Sequence, residues 1–464
     1  MSYENAREAE IHDAHQRLID AFATTYRVGQ PTVVLLPGGM GSHLDRSTRP
    51  YRNDASIPFE AYDPVWMDLE IFFGRDAAAL RIQDNGHDEG DYVIVPNGPL
   101  RFLVDAYDGT QRFFRNRGWN YLVFGYDWRR PIAEAAAQLE SFLANVRYRV
   151  KELRDADPLP TTTLLAHSQG GLVAKVFLHR IGGSDGSGVA RWCERLVTVG
   201  TPFYGTASHH DRYYVGQPPL NTFYGTRFVA DLAGSLPGPY ILMTADRNTL
   251  SPPVLARLGL PAYPMTDTQS GQPADPYDPA ESGRFPSWVN RSHLAAARSI
   301  RRTIAANLPP RALERVFHVR SGLDTKTGAA LRWDSVDGAA YDPQSGSPIH
   351  PVKGAGDGTV PFWSARLAQT PDAQVYDLAK AKSHGHLCEH AETLEVLALL
   401  VDERRLPDPS RITAKDESLG VQPASAARTR AFLRDAHSGA LAKGDPRAND
   451  PAVWRRLFDD LSLC

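Results

Sequence analysis

The chain has 464 residues, a formal charge of −3 and only three cysteines, Cys193, Cys388 and Cys464. That length suits either one large α/β domain with insertions or two to three smaller ones. The charge gives no electrostatic footprint for nucleic acid or an anionic membrane, and the cysteines are too scattered for a disulfide framework or a zinc motif.

The opening stretch, MSYENAREAEIHDAHQRLIDAF, is charged and helical in period and lacks an apolar signal-peptide core. No run of about 18 apolar residues follows, so no transmembrane segment is expected. The expected location is the cytoplasm, with export by a less obvious route left open.

Strand and helix patterns then alternate, which predicts a mostly parallel sheet flanked by helices. PTVVLLPGG (31–39) reads as a strand ending in a glycine loop. PLRFLVDAYDGTQRFFRNRG (99–118) has helical period, and YLVFGYDWRRP (121–131) is the next strand and its exit. A long amphipathic helix over 132–157 stops at Pro158, and RLVTVGTP (195–202) is a further strand. From Phe203 to about Phe285 the rhythm fails, as in a functional insertion. It returns with a helix over 287–308, strands at 315–322 and 373–380, and a last core helix over 388–406. Beyond Pro407 lies a polar tail with a terminal helix around PAVWRRLFDDL.

The stretch TTTLLAHSQGGLVAKVFLHR (161–180) passes from a β-branched run to a helical pattern with almost no loop, and Ser168 stands at the corner. That is the form of a nucleophile elbow, G-x-S-x-G, with Ala166 replacing the first glycine and Gly170 keeping the second. An ordinary β-to-α turn with Ser168 as helix cap is the structural alternative. A serine hydroxyl needs a base to take its proton and an acid to fix the base's tautomer. In α/β-hydrolases they follow in the order serine, acid, histidine. Asp357 stands between glycines in KGAGDGTVPFWSA, and AKSHGHLCEH follows the last predicted strand. His386, after a glycine and before the helix start, is the expected base in preference to His384 and His390. Oxyanion donors are expected from the N–H of Gln169 and from the glycine loop, at Gly39 or Met40.

The aromatics of the insertion (Phe203, Tyr204, Tyr213, Tyr214, Phe223, Tyr224, Phe228) suit either an acyl pocket or the insertion's own core, with Phe203 and Tyr204 the expected substrate contacts. Adjacent side chains rarely meet at one ion, so His209, His210 and Asp211 in SHHDRYY are not expected to bind zinc.

LLPGGMGSHL, GYDWRRP, AHSQGG, VGTPFYGT, SLPGPY, GDGTVP and GHL occur here in the order seen in the lecithin:cholesterol acyltransferase family, whose relatives include a lysosomal phospholipase. The chain resembles that family from about residue 32 to about 395. The resemblance implies an α/β-hydrolase fold with a large cap, Ser168 as nucleophile, Asp357 as acid, His386 as base, and Gly39 with Gln169 as oxyanion donors. It also implies that Asp127 and Arg129 of YDWR tie neighbouring loops together beside the site. Here no cysteine precedes Cys193, whereas secreted members close an early loop with a disulfide.

The predicted organisation is an N-terminal helical extension (1–30), a hydrolase core in two parts (31–202 and 286–406), a cap or lid (203–285) and a C-terminal appendage (407–464). The predicted function is serine-dependent hydrolysis of carboxylic esters of lipid or other hydrophobic acyl groups, without cofactor or metal, with transient lipid-surface contact as a further expectation. The alternatives are an acyltransferase using the same acyl-enzyme and, in another class, a non-catalytic binding protein on a hydrolase fold.

Overall fold

The computed structural model describes residues 2–47, 63–66, 77–90, 92–100, 107–216, 224–381, 383–414, 419, 424–437 and 445–461. Short apolar runs form the centre. β1 (Thr32–Leu36), β6 (Thr162–His167) and β7 (Arg195–Val199) are buried along their whole length. A strand covered on both faces cannot alternate apolar with polar, which is why these read as continuous runs. With β5 (Asn120–Val123), β9 (Val316–Ser321) and β12 (Val375–Leu378) they make one six-stranded sheet, ordered β12-β9-β7-β6-β1-β5. Every pairing in it is parallel. The register aligns Leu36 with Ala166 and His167 with Val199. The loops after β1, β6 and β7 therefore leave the sheet together at its carboxyl edge, where such sheets bind ligands.

Helices cover this sheet. α1 (Tyr3–Thr25) packs against α3 (Ile132–Arg154), and α3 against α4 (Gln169–Ile181). α7 (Arg291–Ala305) and α8 (Ala391–Glu403) match the two later predicted helices. α2 spans Asp108–Asn116 of the predicted 99–118 helix, of which residues 101–106 lie outside the described residues. A six-stranded parallel sheet flanked by helices, with a strand–serine–helix corner, is the α/β-hydrolase fold.

Two smaller sheets lie beside it. One orders β2 (Ser42–Ser47) between β3 (Asp63–Trp66) and β4 (Val93–Pro99). In the insertion, a single helical turn (Arg212–Val215), α5 (Thr226–Ser235), α6 (Pro252–Leu258) and the short β8 (Met265–Asp267) follow one another. β8 pairs in parallel with β10 (Asp324–Trp333), which pairs antiparallel with β11 (Ile349–Gly356). α9 (Ala426–His437) and α10 (Pro451–Leu461) pack together near the C-terminus. Among the described residues no helix is long and apolar enough to cross a membrane.

Two buried histidines set an acid limit on stability. His318 sits between hydroxyls, 2.7 Å from Thr198 Oγ and 2.9 Å from Thr370 Oγ, and His210 Nε2 accepts the Thr244 N–H at 3.0 Å. Burial pushes each down to about 3, with Arg366 and Arg320 adding to the effect at His318. The folded values lie below the unfolded value of about 6.5, so this stability is complete above that pH and is lost progressively as pH falls towards 3. Lowering the pH from 7 to 5.5 should cost roughly 1 kcal/mol for each histidine. A urea titration at the two pH values reads this as a lower midpoint; an unchanged midpoint would mean that the histidines protonate freely in the fold.

Candidate active site

β6 ends at His167 and α4 begins at Gln169, which leaves Ser168 alone to turn the corner. Its backbone sits at φ 50°, ψ −124°, a strained region for a residue with a Cβ. The corner closes because its neighbours are small. A Cβ on Gly170 would lie 2.5 Å from the carbonyl oxygens of Leu36 and Pro37, and one on Gly171 would collide with the side chain of Thr201. Gly170, two residues after the serine, thus lets the elbow pack against the end of β1.

Ser168 Oγ lies 2.9 Å from His384 Nε2, and His384 Nδ1 lies 2.8 Å from Asp357 Oδ2. All three side chains are buried. Asp357 Oδ1 accepts the N–H groups of Thr359 and Val360 at 3.0 and 2.7 Å, and the Asp357 carbonyl accepts the His384 N–H at 2.9 Å. The carboxylate is therefore fixed on both oxygens. A donor at Nδ1 leaves the lone pair of Nε2 facing the serine hydroxyl, the arrangement that lets an imidazole take a proton from Oγ. Gly200, at φ 58°, makes room for the pair: a Cβ there would lie 2.9 Å from Asp357 Oδ2 and 3.2 Å from His384 Nδ1.

The histidine beside Ser168 is thus His384 and not the expected His386. Residues 384–389 form a 3-10 turn, in which positions two apart point to different sides. His384 enters the turn facing the serine, while His386 faces away and its Nδ1 meets Arg455 at 3.2 Å. His390 caps α8, its Nδ1 accepting the Glu392 N–H at 3.3 Å.

A second chain of hydrogen bonds runs behind the first. Gly38 N–H donates to Tyr107 Oη at 2.9 Å, Tyr107 Oη lies 3.1 Å from His167 Nδ1, and His167 Nε2 lies 3.1 Å from the carbonyl oxygen of His384. Burial first, and then the neighbouring His384, holds His167 well below the usual histidine range and so neutral. Its one proton goes to the His384 carbonyl, so its Nδ1 accepts from Tyr107. The glycine loop and the backbone of His384 are keyed together through two side chains, Tyr107 and His167, to which the sequence assigned no role.

In the glycine loop, Gly41 N–H closes a turn onto the Gly38 carbonyl at 3.0 Å, and Met40 adopts φ 65°. Because Gly38 N–H is occupied by Tyr107, the next N–H groups in the loop are those of Gly39 and Met40. Gln169 is the first residue of α4, so its N–H has no partner within the helix.

Met40 also forms one wall of an apolar cleft, which Trp66, Trp128, Tyr213, Val229 and Leu232 line as well. Phe203 and Tyr204 do not line it. Phe203 is packed edge-on against His318 at 5.1 Å and Tyr204 Oη accepts the Ala368 N–H, and both side chains are buried in the core. Of the other aromatics named from the sequence, Tyr213 reaches the cleft, and Phe223 lies outside the described residues. His209 lines the same cleft while His210 caps a backbone N–H, so the adjacent pair diverges.

YDWR ties loops together as the motif implied. Arg129 donates to both Asp127 oxygens, to Asp88 and to the Leu80 carbonyl, all in the interior. Burial alone would raise Asp127, but Arg129, with Arg130 and Arg7, outweighs it and holds the carboxyl down at about 2.

No family model matches the chain, and no curated relative is detected. Solved structures similar to it include the following two. One is described as the crystal structure of the Tle4-Tli4 complex, at 13% identity, covering 94% of this chain and 99% of that chain, with a TM-score of 0.44. The other is the Bacillus licheniformis lipase BlEst2 in mature form, at 12% identity, covering 82% and 94%, with a TM-score of 0.34.

Proposed function

We propose that the chain is a serine-dependent hydrolase of carboxylic esters, acting on lipid or other hydrophobic acyl groups. The observation that carries this reading is the hydrogen-bonded series Ser168 Oγ, His384 and Asp357 at the carboxyl edge of the sheet. Ser168 Oγ attacks the ester carbonyl as His384 Nε2 takes its proton, and Asp357 stabilises the imidazolium that results. The N–H groups of Gln169 and of Gly39 or Met40 receive the oxyanion. Collapse of the tetrahedral intermediate expels the alcohol, which takes the proton from His384 and leaves an acyl-enzyme. Water repeats the sequence and releases the free acid. The apolar cleft beginning at Met40 supports a hydrophobic acyl group, as does the motif series resembling the lecithin:cholesterol acyltransferase family.

A fluorophosphonate probe tests the nucleophile: it should label the native protein once, at Ser168, and should not label Ser168→Ala. A folded native protein that resists the probe overturns the reading. Water needs no binding pocket of its own, whereas transfer requires an alcohol held well enough to displace it. Free acid should therefore be the main product by mass even with millimolar alcohol present. Transesterification that saturates with one particular alcohol would make the enzyme an acyltransferase.

A further inference from the structure

Arg455 is the one fully buried arginine of α10, and it lies against the turn that carries His384. Its guanidinium donates to Glu389 Oε2 at 2.5 Å, to the Gly385 carbonyl at 2.6 Å and to His386 Nδ1 at 3.2 Å. Gly385 follows His384 directly, and Glu389 closes the same 3-10 turn. The far side of that turn is held from α2: Glu389 Oε1 accepts the Gly109 N–H at 2.9 Å, and Thr110 Oγ donates to the Cys388 carbonyl at 2.8 Å.

The backbone around His384 is thereby pinned on consecutive groups. Its N–H is held by the Asp357 carbonyl, its carbonyl by His167, and the next carbonyl by Arg455. The first two contacts come from the hydrolase core, and the third from the C-terminal appendage. A planar guanidinium spans a carboxylate and a carbonyl at once, which a lysine ammonium does not do in a fixed geometry.

We propose that Arg455 is a positioning residue for His384, so that the C-terminal appendage completes the active site. The proposal rests on the reading of His384 as the base. Arg455 acts by fixing the Gly385 carbonyl and, through Glu389, the end of the turn; without it the imidazole loses its alignment with Ser168 Oγ. Misplacement by about 1 Å is enough to cost on the order of 10²-fold in rate.

The test uses the full chain as Arg455→Met, Arg455→Lys and the double variant Arg455→Met with Glu389→Gln. The double variant removes the buried carboxylate that the methionine would otherwise leave without a cation, a change that is destabilising by itself. Folding is checked by circular dichroism and a thermal scan. Steady-state hydrolysis of a medium-chain p-nitrophenyl ester and the rate of phosphonylation of Ser168 are then measured. In the folded double variant, kcat and the phosphonylation rate should fall about 10- to 100-fold, with KM within about twofold because no wall of the apolar cleft has changed. Arg455→Lys should recover part of the loss. A folded double variant with native kcat would mean that Arg455 only neutralises Glu389, and would overturn the proposal. Failure of the double variant to fold would overturn it too, since the arginine would then serve the fold and not the turn. Absence of phosphonylation in the native protein would instead sink the assignment of Ser168 and His384, a distinguishable result.

Discussion

His384→Ala should lower kcat for ester hydrolysis about 10⁴-fold or more with the fold intact, and Ser168→Ala should match it. The two act as one unit. With the imidazole gone, the serine keeps its proton; with the serine gone, the imidazole has nothing to activate. The double variant should therefore be no slower than either single one, the extreme non-additivity expected of a shared proton transfer. His386→Ala removes a ring that faces Arg455 rather than Ser168 and should cost less than about tenfold. His390→Ala removes a cap from α8, a matter of about 1 kcal/mol of stability rather than of rate. Steady-state kinetics on the five variants decides the matter: if His386→Ala were the inactive one, the base would be misassigned.

Asp357→Asn should cost up to about 10⁴-fold, on the precedent of the serine proteases, and the hydrogen bonds around the carboxylate say why. The N–H groups of Thr359 and Val360 both point at Oδ1. An asparagine must offer them its carbonyl oxygen, which turns its NH₂ group towards His384 Nδ1. The imidazole then accepts at Nδ1 and carries its proton on Nε2, so it donates to Ser168 Oγ instead of accepting from it. Asp324 and Asp337 offer no substitute: their side chains accept the backbone N–H of Lys326 and Ala339, and neither bonds to His384. Kinetics with ¹⁵N NMR of the imidazole would read rate and tautomer together. A near-native rate in Asp357→Asn would point to another acid.

The sheet was legible because its strands are buried on both faces. VVLL, TTLLAH and RLVTV advertise themselves by composition, and the elbow follows from the abruptness of the change to helix. The hairpin of β10 and β11 was not legible. DTKTGAALRW and IHPVKGAG carry glycine, proline and charge, and what makes them strands is their pairing with each other and with β8. YLVFGYDWRRP begins as predicted, but its strand stops at Val123, where the chain leaves the sheet to build the Asp127–Arg129 ties. The choice among His384, His386 and His390 turned on the phase of one 3-10 turn, which no local pattern reveals. Arg455, 69 residues beyond His386, could be joined to the site only by tertiary packing.

The small sheet of β8, β10 and β11 has a consequence for recombination. Asp357 directly follows β11, and β11 reaches β8 through β10, with Leu331 opposite both Pro351 and Met265. The acid therefore hangs from the same ladder as a strand of the insertion. A chimera that exchanged 203–285 as one cassette would strip β10 of a partner and loosen the arm that holds the carboxylate. Within the insertion, α5 and the turn bearing Tyr213 border the apolar cleft, but the turn is itself tied to the ladder, since Trp333 Nε1 of β10 donates to Tyr214 Oη at 3.0 Å. Point substitutions at Val229 and Leu232 of α5 change the cleft wall while leaving both ties in place.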